Sequence, residues 1–264
     1  MKFYFDCGLP RSGSTLLTAI LNQNPNIHAG TLSPVFELMY YTNEILHKEQ
    51  AQAFPKPKVF QEIVTNNIIN YYSDVKNPVI IDKCRAWPAH IDIIKKYVTN
   101  NPKLICTVRH PLDILASFIT LFHKDRTLNF IDKAMLKEGK TITDDNRCHY
   151  MMNPGGIVWE SMNALATAFR QKQQHHIHFI QYDDLVSNTS QEIAKLHGFL
   201  ELDPYVYNFD NIVAKDREKD AEVYGLPTMH EVRKSINKIS KPYQKVLSVD
   251  VINKYINYDF WNQQ

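Results

Sequence analysis

No charge of either sign dominates this chain. Its 30 lysines and arginines face 28 aspartates and glutamates over 264 residues, a formal net charge of +2, which gives no case for bulk binding to nucleic acid or to a membrane surface. Any anion site must therefore be local. Cysteine is scarce too: Cys7, Cys84, Cys106 and Cys148 show no C-x-x-C spacing and no dense framework, which argues against a zinc ribbon and a disulfide scaffold. Three of the four lie in or beside apolar runs and are expected as buried, reduced thiols. No apolar run approaches the ~20 residues of a membrane span. The first strand signal begins at residue 3, which leaves no room for a signal peptide, so a cytoplasmic protein is expected. Apolar content of 44% and charged content of 22% are those of an ordinary globular chain, long enough to bury a substantial core.

What is present begins at the amino end, where Phe3-Tyr4-Phe5 leads into Gly8-Leu9-Pro10-Arg11-Ser12-Gly13-Ser14-Thr15 and then Leu16-Leu17. The spacing from Gly8 to Gly13, followed by Ser14 and Thr15, follows the strand, glycine loop, helix pattern whose backbone N–H groups cradle phosphate oxygens. The lysine that a nucleoside-triphosphate loop carries after its second glycine is missing; Ser14 stands there, and Arg11 inside the loop supplies the charge. That lysine normally reaches β- and γ-phosphates. Its absence points to a ligand with a different anionic group beyond its first phosphate.

Four short apolar runs are each followed by polar residues: 3–5 before Arg11, 79–81 before Asp82-Lys83, 104–108 before Arg109, and 177–180 before Tyr182-Asp183-Asp184. Runs bounded this way read as buried parallel strands. Helical stretches are expected between them, at about 15–22, 34–50, 59–72, 88–97, from 111, 157–171 and 187–200, with a terminal helix at 242–255 and an irregular stretch at 201–240. Strand alternating with helix is an α/β pattern. In an open parallel sheet, ligands bind beyond the carboxyl ends of the strands, which puts Arg11, Lys83, Arg109 and Tyr182 on one edge.

Arg109 closes a strand in Val108-Arg109-His110-Pro111-Leu112-Asp113, Pro111 suits a first helical turn, and Ser117 follows about two turns later. A guanidinium and a hydroxyl so placed suit one phosphate; the alternative is an arginine paired with Asp113. Together the 8–16 loop and the Arg109 to Ser117 segment resemble the 5′-phosphosulfate and 3′-phosphate motifs of sulfotransferases. Tyr182-Asp183-Asp184-Leu185-Val186 looks like the tyrosine, acidic, leucine segment on a later strand of that family. The arginine-bearing loop is similar to the bacterial, tyrosylprotein and carbohydrate-type members. The matches span about residues 3–190.

The resemblance implies a P-loop-like three-layer α/β/α fold with a central, mainly parallel sheet, over one domain at 1–264. It also implies transfer of a sulfonate from 3′-phosphoadenosine-5′-phosphosulfate to a hydroxyl or amine without a metal. Arg11, Ser12, Gly13, Ser14 and Thr15 would then hold the 5′-phosphosulfate, and Arg109 and Ser117 the 3′-phosphate. Such a donor has no γ-phosphate, which accounts for the missing lysine. Sulfonate transfer needs cations aimed at the bridging oxygen and a base for the acceptor proton. Lys83, in Ile81-Asp82-Lys83-Cys84-Arg85, takes the first role by resemblance, the alternative being a surface turn, and Arg85 is a candidate for acceptor binding. Glu37, a turn into the helix after the first, is the favoured base, with Asp82, His110 and His123 in reserve and a solvated helix carboxylate as the plain alternative.

Tyr182 or Trp159 is a candidate to face adenine, although Trp159 equally suits a helical core face with Leu165 and Phe169. In Tyr224-Gly225-Leu226-Pro227-Thr228-Met229-His230-Glu231-Val232-Arg233-Lys234, a segment that resembles a donor-closing loop, Arg233 is the candidate cap on the 3′-phosphate. His175-His176-Ile177-His178 lacks metal-ligand spacing and is expected to be structural, and 216–220 is expected to be a solvated face. Acceptor-side helices are expected at about 31–75 and 120–155. Their aromatic content fits a small molecule, a glycan or a peptide. A kinase or nucleoside-triphosphatase without its lysine, and a catalytically silent nucleotide module, are the competing readings.

Overall fold

The computed structural model describes residues 1–215, 218–236 and 242–262. Each strand is short, and four of the five are apolar runs that lead into polar residues at one edge. Strands β1 (Lys2–Asp6), β2 (Ile27–Leu32), β3 (Val79–Lys83), β4 (Leu104–Val108) and β5 (Ile177–Gln181) form a five-stranded sheet in the order β2-β3-β1-β4-β5. Every pairing is parallel, and the register sets Asp6 beside Lys83 and Val108 beside Gln181.

Successive residues of a strand face opposite sides. Phe5, Ile80, Leu104, Cys106 and Val108 accordingly pack into one core cluster, whereas Tyr4, Ile81, Ile105 and Ile180 pack into another on the other face. Both faces are covered by helices, giving the three-layer α/β/α arrangement. Helix α1 (Ser14–Leu21) and β2 follow β1; α2 (Val35–Leu46), α3 (Glu49–Gln52) and α4 (Pro57–Tyr71) precede β3; α5 (Ile91–Tyr97) precedes β4. Between β4 and β5 lie α6 (Pro111–Asp125), α7 (Phe130–Lys137), α8 (Asp144–Met152) and α9 (Ile157–Arg170). After β5 come α10 (Tyr182–Ser187), α11 (Thr189–Leu200), α12 (Asp220–Val223) and α13 (Val249–Tyr255).

Strand β2 has no counterpart in the sequence reading. Its residues Ile27-His28-Ala29-Gly30-Thr31-Leu32 make no apolar run; the edge is held instead by Asn22, whose side chain donates to Ala29 O at 2.7 Å and accepts from Ala29 N–H at 2.8 Å. The expected terminal helix is divided. A 3₁₀ turn at Tyr243–Lys245 precedes α13, which starts afresh because Ser248 caps it by accepting from Val251 N–H at 3.2 Å. Residue 241, just before this region, lies outside the described residues. Tyr182 opens a helix rather than ending a strand. All four cysteines are buried and free. Among the described residues no helix is long and apolar enough to cross a membrane.

The chain leaves β1 toward β2 on one side, and leaves β4 toward β5 on the other, while β1 and β4 are neighbours. Loops that diverge from adjacent strands open a crevice beyond their carboxyl ends. That crevice positions the site.

Candidate active site

The loop from Cys7 to Gly13 is fixed from below. Gly8 N–H donates to Asp6 Oδ1 at 3.0 Å, and Leu9 N–H donates to Thr107 O at 2.9 Å. Gly8 must be glycine, since a Cβ there would lie 2.2 Å from Thr107 Oγ1. Ser12 is fully buried, and its hydroxyl bonds Leu9 O, Thr107 O and Thr107 Oγ1 at 2.5–2.8 Å. Its side chain therefore braces the loop against β4 and does not line the cleft. Gly13 (φ 95°) turns the chain into α1, with the Tyr182 ring beneath it. The first N–H groups of α1 have no intrahelical acceptor, and Gly13, Ser14, Thr15 and Leu16 line the cleft there.

Arg11 (φ 57°) is a left-handed non-glycine residue at the crest of this loop. Its Nε donates to Ser117 Oγ at 3.2 Å, one Nη donates to Met229 O, and Arg109 Nη1 donates to Arg11 O at 3.3 Å. The Arg109 guanidinium lies 4.3 Å from the centre of the Tyr182 ring. The two guanidinium groups compete: burial, then the Arg109 charge, pushes Arg11 down to about 10. Among the described residues neither is ion-paired, and the arginine ion pairs there are those of Arg147. The alternative pairing of Arg109 with Asp113 is absent from these contacts. Two half-buried cations close enough to repel one another, over a helix N-terminus, are chemistry suited to a polyanion.

Lys83 ends β3 with its ammonium 3.9 Å from Asp6 Oδ2, and both side chains are buried. Burial lowers the Lys83 ammonium, opposed by Asp6, and raises the Asp6 carboxyl despite Lys83. Cavities of about 230 and 340 Å³ adjoin here, sharing Thr15, Lys83, Glu218, His230, Glu231 and Val232. Arg11, Arg85, Arg109, Ser117, Tyr182 and Arg233 line the first. Thus the structure brings together the arginines, Lys83, Ser117, Tyr182 and the loop. Arg233 is exposed at the rim.

Other candidates sit elsewhere. Glu37 is exposed on α2 and lines an adjoining cavity of about 400 Å³ with Arg85, His90 and Glu160. Asp82 is buried and spends its carboxylate on Ser33, Tyr72 Oη (2.8 Å) and Trp87 Nε1 (2.7 Å). His110 caps α6, accepting from Leu112 N–H at 3.2 Å, with its other nitrogen 3.0 Å from Ile256 O. His123 pairs with Asp144 at 2.9 Å. Trp159 lines a separate apolar cavity with Met152, Met162 and Phe260. In the histidine cluster, His176 Nδ1 lies 3.0 Å from Pro102 O, and His178 stacks on Phe199.

The 216–220 stretch is a solvated face only in part where it is described: Lys219 is exposed, whereas Glu218 and Asp220 are not, and 216 and 217 lie outside the described residues. Asp220 is 8% exposed, and Glu218 and Asp220 both turn toward His230, at 3.4 and 2.6 Å from Nδ1. The three side chains are close enough to share a cation, but the ring nitrogen facing the carboxylates is engaged with Asp220, and Lys83 and Arg85 line the same cleft. Glu218, Asp220 and His230 line the cleft and Asp6 pairs with Lys83, and sequence reasoning missed all four. The signals for them were faint: an acidic residue ending β1, and a histidine inside the segment from which Arg233 was chosen.

The Sulfotransferase family profile matches residues 5–206. The chain belongs to the sulfotransferase family. Its fold is similar to that of the sulfotransferase domain of the Synechococcus PCC 7002 olefin synthase, with a TM-score of 0.57 at 17% identity over 98% of this chain and 94% of that one. It is also similar to mouse sulfotransferase SULT7A1 complexed with PAP (TM-score 0.55, 13% identity, 98% of this chain and 83% of that one). Sulfotransferase STF9 from Mycobacterium avium gives 0.51 at 11% identity, over 97% and 76%. No curated protein sequence matches this sulfotransferase significantly. At such identities the structural likeness establishes the fold.

Proposed function

We propose that this sulfotransferase moves a sulfonate group from 3′-phosphoadenosine-5′-phosphosulfate to a hydroxyl or amine by in-line displacement. The observation that carries the reading is the Arg11 and Arg109 pair: two guanidinium groups, free of carboxylate ion pairs among the described residues, over the first turn of α1. The bound donor would supply an activated sulfonate on a 5′-phosphate and a second phosphate at the 3′ position. Arg11 with the N–H groups of Gly13, Ser14 and Thr15 would hold the first, and Arg109 with Ser117 the second; Arg233 stands at the rim as the candidate cap. Tyr182, already stacked under Arg109, presents a face suited to adenine.

Lys83 is assigned to the charge that grows on the bridging oxygen. An ammonium held by a buried carboxylate is preorganised for that task. Ser14 at the lysine position of a nucleoside-triphosphate loop supports a monophosphate-type 5′ end over a triphosphate. The acceptor side is assigned to residues 31–75 and 120–155, within one domain, and to the cavity containing Glu37, Arg85 and His90. There we assign Glu37 to holding an acceptor, in place of the base role expected of it from the sequence, and take that acceptor as a small molecule, glycan or peptide.

Calorimetry with 3′,5′-adenosine bisphosphate and ATP in parallel, each with and without Mg²⁺, tests the reading. Binding of the bisphosphate without Mg²⁺, and no heat from ATP, is expected. Mg²⁺-dependent ATP binding with no bisphosphate binding would overturn it.

A further inference from the structure

The segment over the cleft carries a pair that donor binding leaves without a task. It is pinned at several points: Phe130 N–H donates to Tyr224 O at 2.9 Å, Thr228 Oγ1 donates to Asp125 Oδ1 at 3.0 Å, and Ile212 N–H donates to Lys234 O at 2.7 Å. Between these pins, Asp220 at the start of α12 meets His230. One carboxylate grips one residue twice, accepting from the His230 backbone N–H at 2.9 Å and from Nδ1 at 2.6 Å. A carboxylate on Nδ1 selects the tautomer whose Nε2 is the bare, accepting nitrogen.

The acidic groups gather on the Nδ1 side. Glu218 stands 3.4 Å from Nδ1 and is itself held by Tyr224, whose hydroxyl donates to it at 3.2 Å. The Tyr224 ring meets the imidazole edge-on at 5.7 Å. No hydrogen bond engages Nε2 among the described residues. His230 and Lys83 line the same two cavities. A base oriented by a buried acid, next to the cation at the transferring group, has the arrangement that proton removal from a nucleophile requires.

We propose that His230 is the general base of the transfer and that Asp220 is its positioning residue. The assignment rests on the sulfonate-transfer reading. As the acceptor oxygen bonds to sulfur, the bond from sulfur to the bridging oxygen breaks and its electron pair leaves on the 5′-phosphate. The acceptor's proton passes to Nε2, and the imidazolium, steadied by Asp220 and Glu218, returns it to solvent. Burial and the Lys83 charge hold His230 below its ordinary range against the pull of Asp220 and Glu218. That direction favours the neutral ring a base requires.

The test has two arms, both on the full chain. In proton–nitrogen correlation spectra of ring-labelled protein, His230 is assigned by the signals lost in His230→Gln. It is expected with Nδ1 protonated and Nε2 bare; the reverse tautomer, or an imidazolium at neutral pH, overturns the proposal. Transfer of radiolabelled sulfonate from the donor to water and to a panel of phenols, sugars and tyrosyl peptides is then compared between variants. His230→Gln is expected to lose roughly 10²–10⁴-fold in turnover with an unchanged bisphosphate dissociation constant. Asp220→Asn is expected to lose less and to move the acid limb of the pH profile to lower pH, because removing its charge lowers the ring's pKa further. Wild-type turnover in His230→Gln, with the bisphosphate still bound, overturns the assignment of His230 alone. Failure of the wild type to bind the bisphosphate sinks the donor reading instead. If no acceptor is labelled, the tautomer decides.

Discussion

Arg11 and Arg109 do different work from nearly the same place. Arg11 is half-buried, left-handed in its backbone and tied to Ser117 and Met229, so its removal disturbs the loop itself. Arg109 reaches across the surface of Tyr182 with one contact to the loop, and its removal should report on ligand alone. Arg109→Ala is expected to weaken 3′,5′-adenosine bisphosphate by about 2 kcal/mol, the scale of a charge-assisted contact, in calorimetry. An unchanged dissociation constant would take Arg109 out of the site. Lys83 and Asp6 form the second residue-scale pair. Removing the ammonium strands a buried carboxylate, so Lys83→Met is expected to lower both the melting temperature and turnover. Adding Asp6→Asn should restore the melting temperature and leave turnover low, since the polar partner is then neutral but the cation is still missing. Turnover recovered in the double variant would make Lys83 a structural residue.

The elements that build the site are the two loops diverging from β1 and β4, and their demands are steric. Gly13, at φ 95° with a would-be Cβ 3.0 Å from Tyr182 Cδ2, has no room for a side chain in its present conformation. Gly13→Ala is expected to cost roughly 1–2 kcal/mol of stability in urea unfolding and to weaken bisphosphate binding by tilting the first turn of α1; a variant as stable as the parent would refute the steric account. These loops were legible in the sequence because glycine spacing and strand-end cations are local signals. The buried strands were legible for the same reason, each being an apolar run that stops at a polar residue. Strand β2 was not, because its own residues carry no run, and it is joined to the fold by its ladder with β3 and by Asn22 bonding Ala29 across a turn. The acid and histidine over Lys83 were hidden differently: Glu218, Asp220 and His230 meet through the fold of a segment with little regular structure. Charge alternation there describes a surface until the chain is seen to turn inward.

At the scale of the whole molecule, one ligand would join parts that are distant in sequence. The cleft is lined by the loop after β1, the end of β3, Arg109 after β4, Tyr182 after β5 and the 229–236 segment, so a bound nucleotide ties four adjacent strands to the segment above them. Such a ligand stabilises the folded state only by mass action, by about 2.7 kcal/mol at a hundredfold excess over its dissociation constant. For a chain of this size that corresponds to a rise of roughly 5–10 °C in melting temperature with 3′,5′-adenosine bisphosphate. The rise should survive EDTA, because the groups assigned to the ligand are cations, N–H donors, a hydroxyl and the Tyr182 ring, with no carboxylate among them. In Arg109→Ala at the same ligand concentration, an affinity lowered roughly 30-fold leaves a rise of only about 2–4 °C. A shift abolished by EDTA would mean that the Glu218, Asp220 and His230 cluster binds an ion after all. A shift equal in the parent and in Arg109→Ala would place the nucleotide somewhere other than the crevice between β1 and β4.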